Sequence, residues 1–365
     1  MSKVYFTDMR TSFTENLPKK LTRLIDRAGL GTIDFDHKFV AIKIHFGEMG
    51  NLAYLRPQYA RALAAYIKER GGLPFLTDCN TLYVGSRKNA LEHIETAYIN
   101  GYTPYATGCQ VIIADGVRGT DEAYIPIGCE EVKTAKIGRA IADADIIISL
   151  NHFKGHEDAG FGGALKNLGM GSGSRAGKME MHYDGKPVVD RDRCRGCRKC
   201  ATICANDGIH YENNKAVIDH DNCVGCGRCI AICSFDAIKP HNSSSAASLN
   251  RRIAEYAYAV VKDKPNFHIS IAADISPNCD CHPENDAPIV PNIGMFASFD
   301  PVAIDLAAAD AVNAMPANPR SALSEAECRC HDHFINVHPN TNWRVQIEHG
   351  EEIGLGSSEY ELIRI

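Results

Sequence analysis

Cys194, Cys197, Cys200 and Cys204 share one spacing with Cys223, Cys226, Cys229 and Cys233: each quartet reads C-x2-C-x2-C-x3-C. Thiolates spaced this way suit iron-sulfur cubes, three consecutive cysteines serving one cluster and the fourth reaching across to a second. The quartets are offset by 29 residues at all four positions, and Ile209 and Ile238 each follow the fourth cysteine by five residues, so the segment is an internal repeat. Zinc is the alternative for paired C-x2-C, but two tandem quartets with C-x3-C tails weigh against it. Spacing gives no redox potential, which depends on charge, hydrogen bonds and exposure.

A second constellation lies upstream. After an apolar run ending at Leu150, Asn151 to Lys166 carries Lys154, His156 and Lys166 among the glycines Gly155, Gly160, Gly162 and Gly163. A glycine-rich loop leaving a strand end lets a ligand approach the backbone, and its cations suit an anion. Three readings stay open for these residues: a plain phosphate or carboxylate site, a catalytic site, or solvated loop side chains. His45, at the end of another strand, is either a site residue or a satisfied core histidine. His182 either belongs to the site or merely ends a helix leading into the cysteine repeat. The stretch from Gly171 to Lys178 is no Walker loop, since Ser172 replaces the first glycine and Met179 follows the lysine.

Cys279, Cys281, Cys328 and Cys330, with His282, His331 and His333, offer a candidate third metal site, although C-x-C is not a common zinc-finger spacing. Cys79, Cys109 and Cys129 read as ordinary buried thiols near strands. Asp300 and Asp305 read as carboxylates facing the positive end of their own helix.

The elements that must position these residues alternate. Strands are expected over Val40 to Phe46, Leu73 to Cys79, Gln110 to Ala114, Asp145 to Leu150 and Phe267 to Ala273. Helices are expected over Pro57 to Arg70, Lys88 to Ile99, Leu249 to Val261 and Pro301 to Val312, with Ser243 to Ser245 as a linker or turn. The pattern implies an α/β fold, with largely parallel sheets and helices on both faces. Its expected division is an α/β domain with a ligand site over 1–185, a small α+β cysteine-rich module over 186–241, and a C-terminal α/β portion over 242–365 that closes the pocket.

Composition narrows the class. At 365 residues the chain is long enough for a large core. A formal net charge of -6 with scattered basic residues leaves no nucleic-acid footprint. The start lacks a basic segment followed by an apolar stretch, and no apolar run approaches the ~20 residues of a membrane span. Fifteen cysteines without a leader fit a reducing cytosol.

The cysteine repeat resembles the bacterial two-cluster ferredoxin domain. That resemblance implies one 4Fe-4S cluster on Cys194, Cys197, Cys200 and Cys233 and another on Cys223, Cys226, Cys229 and Cys204; the usual proline after the fourth cysteine is replaced by Ala205 and Ser234. From His45-Phe46-Gly47-Glu48, through Lys154-Gly155-His156 and Gly162-Gly163-Ala164-Leu165-Lys166-Asn167-Leu168-Gly169, to Asp300-Pro301-Val302-Ala303-Ile304-Asp305, the chain resembles iron-sulfur members of the domain of unknown function 362 family. A remoter resemblance is to the nickel-pincer lactate racemase family, on His156, Ala159-Gly160-Phe161, Gly162-Gly163, Lys166 and His182. It implies Lys166 as a cofactor tether, His182 as a nickel ligand and His156 as a proton-transferring base. No counterpart of that family's other catalytic histidine is found, since the comparable loop reads Asp78-Cys79-Asn80-Thr81-Leu82-Tyr83.

These features lead to a cytosolic iron-sulfur oxidoreductase coupling two 4Fe-4S clusters to a small anionic substrate or pyridine-type cofactor, with His156, Lys166 and His45 catalytic and Lys154, Lys166 and His182 binding the ligand. An additional organic or nickel cofactor and a redox partner protein are part of that expectation. The alternatives are a ferredoxin-like electron carrier for a partner enzyme and a lactate-racemase-like isomerase.

Overall fold

The computed structural model describes the chain except residues 83, 84, 184, 185, 205, 224, 241–244, 328 and 329. Eight strands form one sheet: β1 (Ser2–Asp8), β2 (Phe39–Lys43), β3 (Leu73–Asp78), β4 (Gln110–Ile113), β5 (Ile146–His152), β6 (Asn266–Ala272), β7 (Gly294–Ser298) and β8 (Tyr360–Arg364). Their order is β8-β1-β7-β6-β5-β2-β3-β4. Only β7 runs against its neighbours; the other pairings are parallel.

The central strands are apolar on both faces, as a parallel sheet covered on both sides requires. Val40, Ile42, Ile146, Ile148 and Ile269 face a core shared with α1 (Leu17–Arg27), α2 (Pro57–Lys68) and α3 (Ala90–Ile99). Alternate residues, including Ala41 and Ile147, face a second core. There they meet α4 (Ala164–Ser172), α6 (Ala246–Val261) and α7 (Pro301–Asn313). Helix starts are set locally: Asn89 accepts from the Leu91 and Glu92 N–H groups at 3.1 Å each, and Asp300 accepts from Val302 and Ala303 at 2.9 Å each.

This order fixes where a ligand can enter. The chain lays β3 and β4 outward from β2, then returns to place β5 on the other side of β2. The β2–β5 boundary is therefore a topological switch point, where flanking connections leave in opposite directions and open a crevice at the strand carboxyl ends.

The expected strand over Val40 to Phe46 stops earlier, at Lys43. Beyond it His45 Nδ1 accepts the Gly47 N–H at 3.0 Å in a local turn, with Gly47 at φ +80°.

The cysteine repeat has its own small core, joining Cys194, Cys200 and Cys229 to Ile230, Ala237 and Ile238. Its short helices, Lys199–Ile203 and Arg228–Ile232, obey the 29-residue offset. So do its left-handed residues: Gly196 with Gly225, Arg198 with Gly227, and Asp207 with Asp236. The repeat in sequence is thus a repeat in backbone. Ala205 and the linker residues Ser243 and Ser244 lie outside the described residues. Among the described residues, no helix is long and apolar enough to cross a membrane.

Candidate functional site

Lys43 ends β2 and Asp78 ends β3, and the two form a fully buried ion pair at 2.9 Å. Burial pulls the Lys43 ammonium down while Asp78 opposes it. Burial pushes the Asp78 carboxyl up, but Lys43, His45 and His93 outweigh it and hold the group well below its ordinary range. After β5 the chain forms a tight antiparallel pair, Lys154–His156 against Gly160–Gly162, and passes into α4, which carries Lys166. Helix α5 (Arg175–Tyr183) then supplies Lys178 and His182, and the loop after β6 returns Cys279 and Cys281. A cavity of about 70 Å³ lies between them, and His45, Lys154, His156, Lys166 and His182 all line it.

Each expected site residue has a defined partner. His45 Nε2 stands 3.0 Å from Arg87 Nη1; burial and that guanidinium hold the imidazole down at about 3, so it is neutral. Lys154 Nζ donates to the His152 carbonyl at 3.3 Å and lies 3.6 Å from Asp280. His156 Nδ1 accepts from the Asp158 and Ala159 N–H groups at 3.0 and 3.2 Å, which places the proton on Nε2. Lys166 Nζ lies 3.9 Å from Cys279 Sγ. Burial pulls Lys166 down, but Cys279, Cys281 and Glu157 outweigh it and keep its ammonium above the ordinary value. Burial, then Lys166 and His156, hold His182 down at about 3.

The wall is cation-rich: Lys43, Lys154, Lys166, Lys178 and Arg87 line the cavity with a single lining carboxylate, Asp78, among the described residues. On the same wall, Arg87 Nη2 and Thr81 Oγ1 are buried without a protein partner among the described residues. Such orphaned donors beside several cations suit a small anion with hydrogen-bond acceptors. Two glycines make room for the lysines. A Cβ at Gly162 would lie 3.2 Å from Lys154 Nζ, and one at Gly171 would collide with Lys43 Nζ.

Asp305 departs from its expected role. It does not serve its own helix: it reaches across to accept the Ala164 and Leu165 N–H groups at 2.6 and 2.8 Å, capping α4 just before Lys166. Asp300 does cap α7, as expected. The sequence spacing of Asp300 and Asp305 could not distinguish a cap from a reach to another helix.

The eight repeat cysteines gather into two groups. Cys194, Cys197, Cys200 and Cys233 line one small cavity, and Cys204, Cys223, Cys226 and Cys229 line another, the fourth cysteines being exchanged. Backbone N–H groups of Gly208, Ala237 and Ala216 donate to Cys204, Cys233 and Cys194 Sγ at 3.3, 3.3 and 3.4 Å. Burial, then Cys226 and Cys223, push the Cys229 thiol up to about 12. Burial pushes the Cys223 thiol up as well, and a bound cation reverses that preference.

Helix α5 contributes side chains to both regions. Lys178 and His182, four residues apart, line the ligand cavity. Arg175 and Met179, also four apart, pack on Gly227 of the cysteine repeat, and Met179 joins that repeat's core. Lys88 and Asp236 pair across the same boundary at 2.9 Å.

With this geometry in view, the family model described as "Domain of unknown function (DUF362)" matches residues 40–310. The chain belongs to that family. Comparison with curated proteins finds no match. Solved structures similar to this DUF362 chain include the lactate racemase apoprotein from Thermoanaerobacterium thermosaccharolyticum, with 11% identity and a TM-score of 0.40. That match covers 75% of this chain and 51% of the racemase, so the chain spans about half the racemase's length. A protein from Thermotoga maritima is similar at 12% identity and TM-score 0.40, over 83% of this chain and 58% of its own.

Sequence reasoning missed several residues of the DUF362 chain's cavity. Lys43 carried a signal, a lone charge in the apolar run Val40 to Ile44 at a strand's carboxyl end. Arg87 carried none. Cys79, expected only as an ordinary buried thiol, is buried but lines the cavity; Cys109 is buried, and Cys129 is half-buried. Of the expected third metal group, Cys279 and Cys281 line the cavity, whereas Cys330 is exposed and bonds Asn336, and Cys328 lies outside the described residues.

Proposed function

We propose that this DUF362 protein is a cytosolic iron-sulfur oxidoreductase that acts on a small anionic ligand in the β2–β5 cavity. The two cysteine groups would hold two 4Fe-4S clusters: all-thiolate donors, apolar surroundings and N–H···S contacts fit that cofactor. Such a pair supplies one electron per cluster, matching a two-electron change in the ligand. The observation that carries this reading is the shared helix, one face of which carries Lys178 and His182 on the cavity and Arg175 and Met179 against the cysteine repeat.

The chain's own residues have distinct tasks here. Lys154 and Lys166 bind and orient the anion. His45 and His182, both neutral, offer proton sites without adding charge. His156, its proton on the cavity-side Nε2, is positioned as a donor. A redox partner protein would complete the circuit.

A second reading, an isomerase resembling lactate racemase, is favoured by the gathering of His156, Lys166 and His182 on one cavity. Lys166 fits a covalent tether poorly, because its raised ammonium is a weak nucleophile.

The test is Lys166→Ala against Cys194→Ala in anaerobically purified protein. The oxidoreductase reading expects Lys166→Ala to lose ligand retention and turnover with its cluster absorbance intact, and Cys194→Ala to lose cluster. Normal electron delivery to a partner together with unchanged ligand binding in Lys166→Ala would leave only a carrier. A mass adduct on Lys166, with nickel present, would favour the isomerase.

A further inference from the structure

The turn after β6 brings together donors that neither the cysteine repeat nor the anion site requires. The His282 N–H closes on the Cys279 carbonyl at 3.1 Å, so Cys279, Cys281 and His282 project from one tight turn. Glu157 is folded onto it, accepting the Cys279 N–H at 3.3 Å and lying 2.9 Å from His282 Nε2. Donor atoms of Glu157, Cys281 and His282 all lie within 4.8 Å of one another. Cys279 and Cys281 line the same cavity.

We propose that Cys279, Cys281, His282 and Glu157 form a site for one divalent cation of the borderline, zinc-binding class. The Cys281 sulfur, the His282 imidazole and the Glu157 carboxylate lie within that 4.8 Å span, and the Cys279 sulfur, outside it on the same turn, would move in to complete the preferred four-coordinate set. Charge agrees. Two thiolates and a carboxylate around a dication leave one net negative charge, and the Lys166 ammonium stands 3.9 Å from Cys279 Sγ to balance it. Beside the donors, His156 carries its proton on Nε2, its Nδ1 being occupied by two backbone N–H groups. Partners of this kind orient a metal-bound thiolate. Because Cys279 and Cys281 line the cavity, the cation would face the space between Lys154 and Lys166 and polarise an anion bound there. The proposal does not depend on what the repeat cysteines hold.

The experiment counts zinc and iron in the full chain purified anaerobically without chelator, followed by cobalt(II) titration. The expected result is one zinc per chain beyond the iron, or one cobalt with thiolate-to-cobalt absorption. In Cys281→Ser, and separately in His282→Gln, affinity for that ion should fall at least tenfold with iron content unchanged. If Cys281→Ser fails to fold, His282→Gln and the parent titration decide. The proposal is overturned if either folded variant binds zinc and cobalt as the parent does. It is equally overturned if the parent takes up no cobalt while both thiols of the turn react with a maleimide, which would mark a metal-free dithiol beside a Glu157–His282 ion pair.

Discussion

Lys166 and Asp305 show how single side chains set the site's electrostatics. Lys166 stays charged because nearby acidic groups, Cys279 first, outweigh its burial, so its main contribution to an anion is a charge-assisted hydrogen bond worth about 1.5–3 kcal/mol. Lys166→Ala should therefore weaken binding of a small carboxylate or phosphate roughly 10- to 100-fold in calorimetry; unchanged affinity would remove Lys166 from the site. Asp305 is different. Burial pushes its carboxyl up to about 7, against the pull of the two N–H groups it accepts and of Lys154. Between its ordinary value of 3.8 and about 7, the folded chain holds a proton that the unfolded chain has released. Stability should fall as pH rises through that window, by at most about 1.4 kcal/mol per unit. Asp305→Asn should flatten the slope in denaturant titrations, and parallel curves for parent and variant would count against this account.

At the scale of elements, α4 depends on close approach. Gly171 leaves the space that Lys43 Nζ occupies, and Lys43 is fully buried, paired with Asp78 and bonded to Asn167 at 2.8 Å. Gly171→Ala should cost about 1–3 kcal/mol as overpacking and should loosen anion binding with it. A thermal melt and a binding titration on the same sample check both. The apolar strands and the Asp300 cap were legible in the sequence because their signals are local, and observed boundaries differ from the expected ones by a few residues. β1, β7 and β8 were not read. β7 is the short Gly-Met-Phe-Ala-Ser run, poor in β-branched residues, and only tertiary pairing with β1 and β6 makes it a strand. The site was half legible for the same reason: Lys154, His156 and Lys166 lie close together in sequence, whereas Lys43, Arg87 and Cys279 join them only through strand order.

At the scale of the molecule, two large cores flank the main sheet, while the cysteine repeat relies on a small one in which cysteines are members. If the cysteine groups hold metal, its stability should depend on that metal far more than that of the sheet. Treatment with chelator and oxidant should then expose residues 190–238 to protease or hydrogen exchange while β2, β5 and β6 stay protected. Uniform protection of both regions in the stripped protein would contradict this. Intact protein should contain about eight irons per chain if both cysteine groups hold cubes; a stable maximum of four after full reconstitution would sink the two-cluster assignment.

The helix shared by cavity and cysteines also offers a practical handle. A unit charge about 10 Å away acts with about 1.7 kcal/mol at an effective dielectric constant near 20. An anion settling beside Lys166 should thus register in the visible spectrum or the midpoint of any chromophore held by the thiols behind Arg175. A cluster held there would serve as a built-in reporter. With it in place, a library of small acids can be screened for ligands by colour alone.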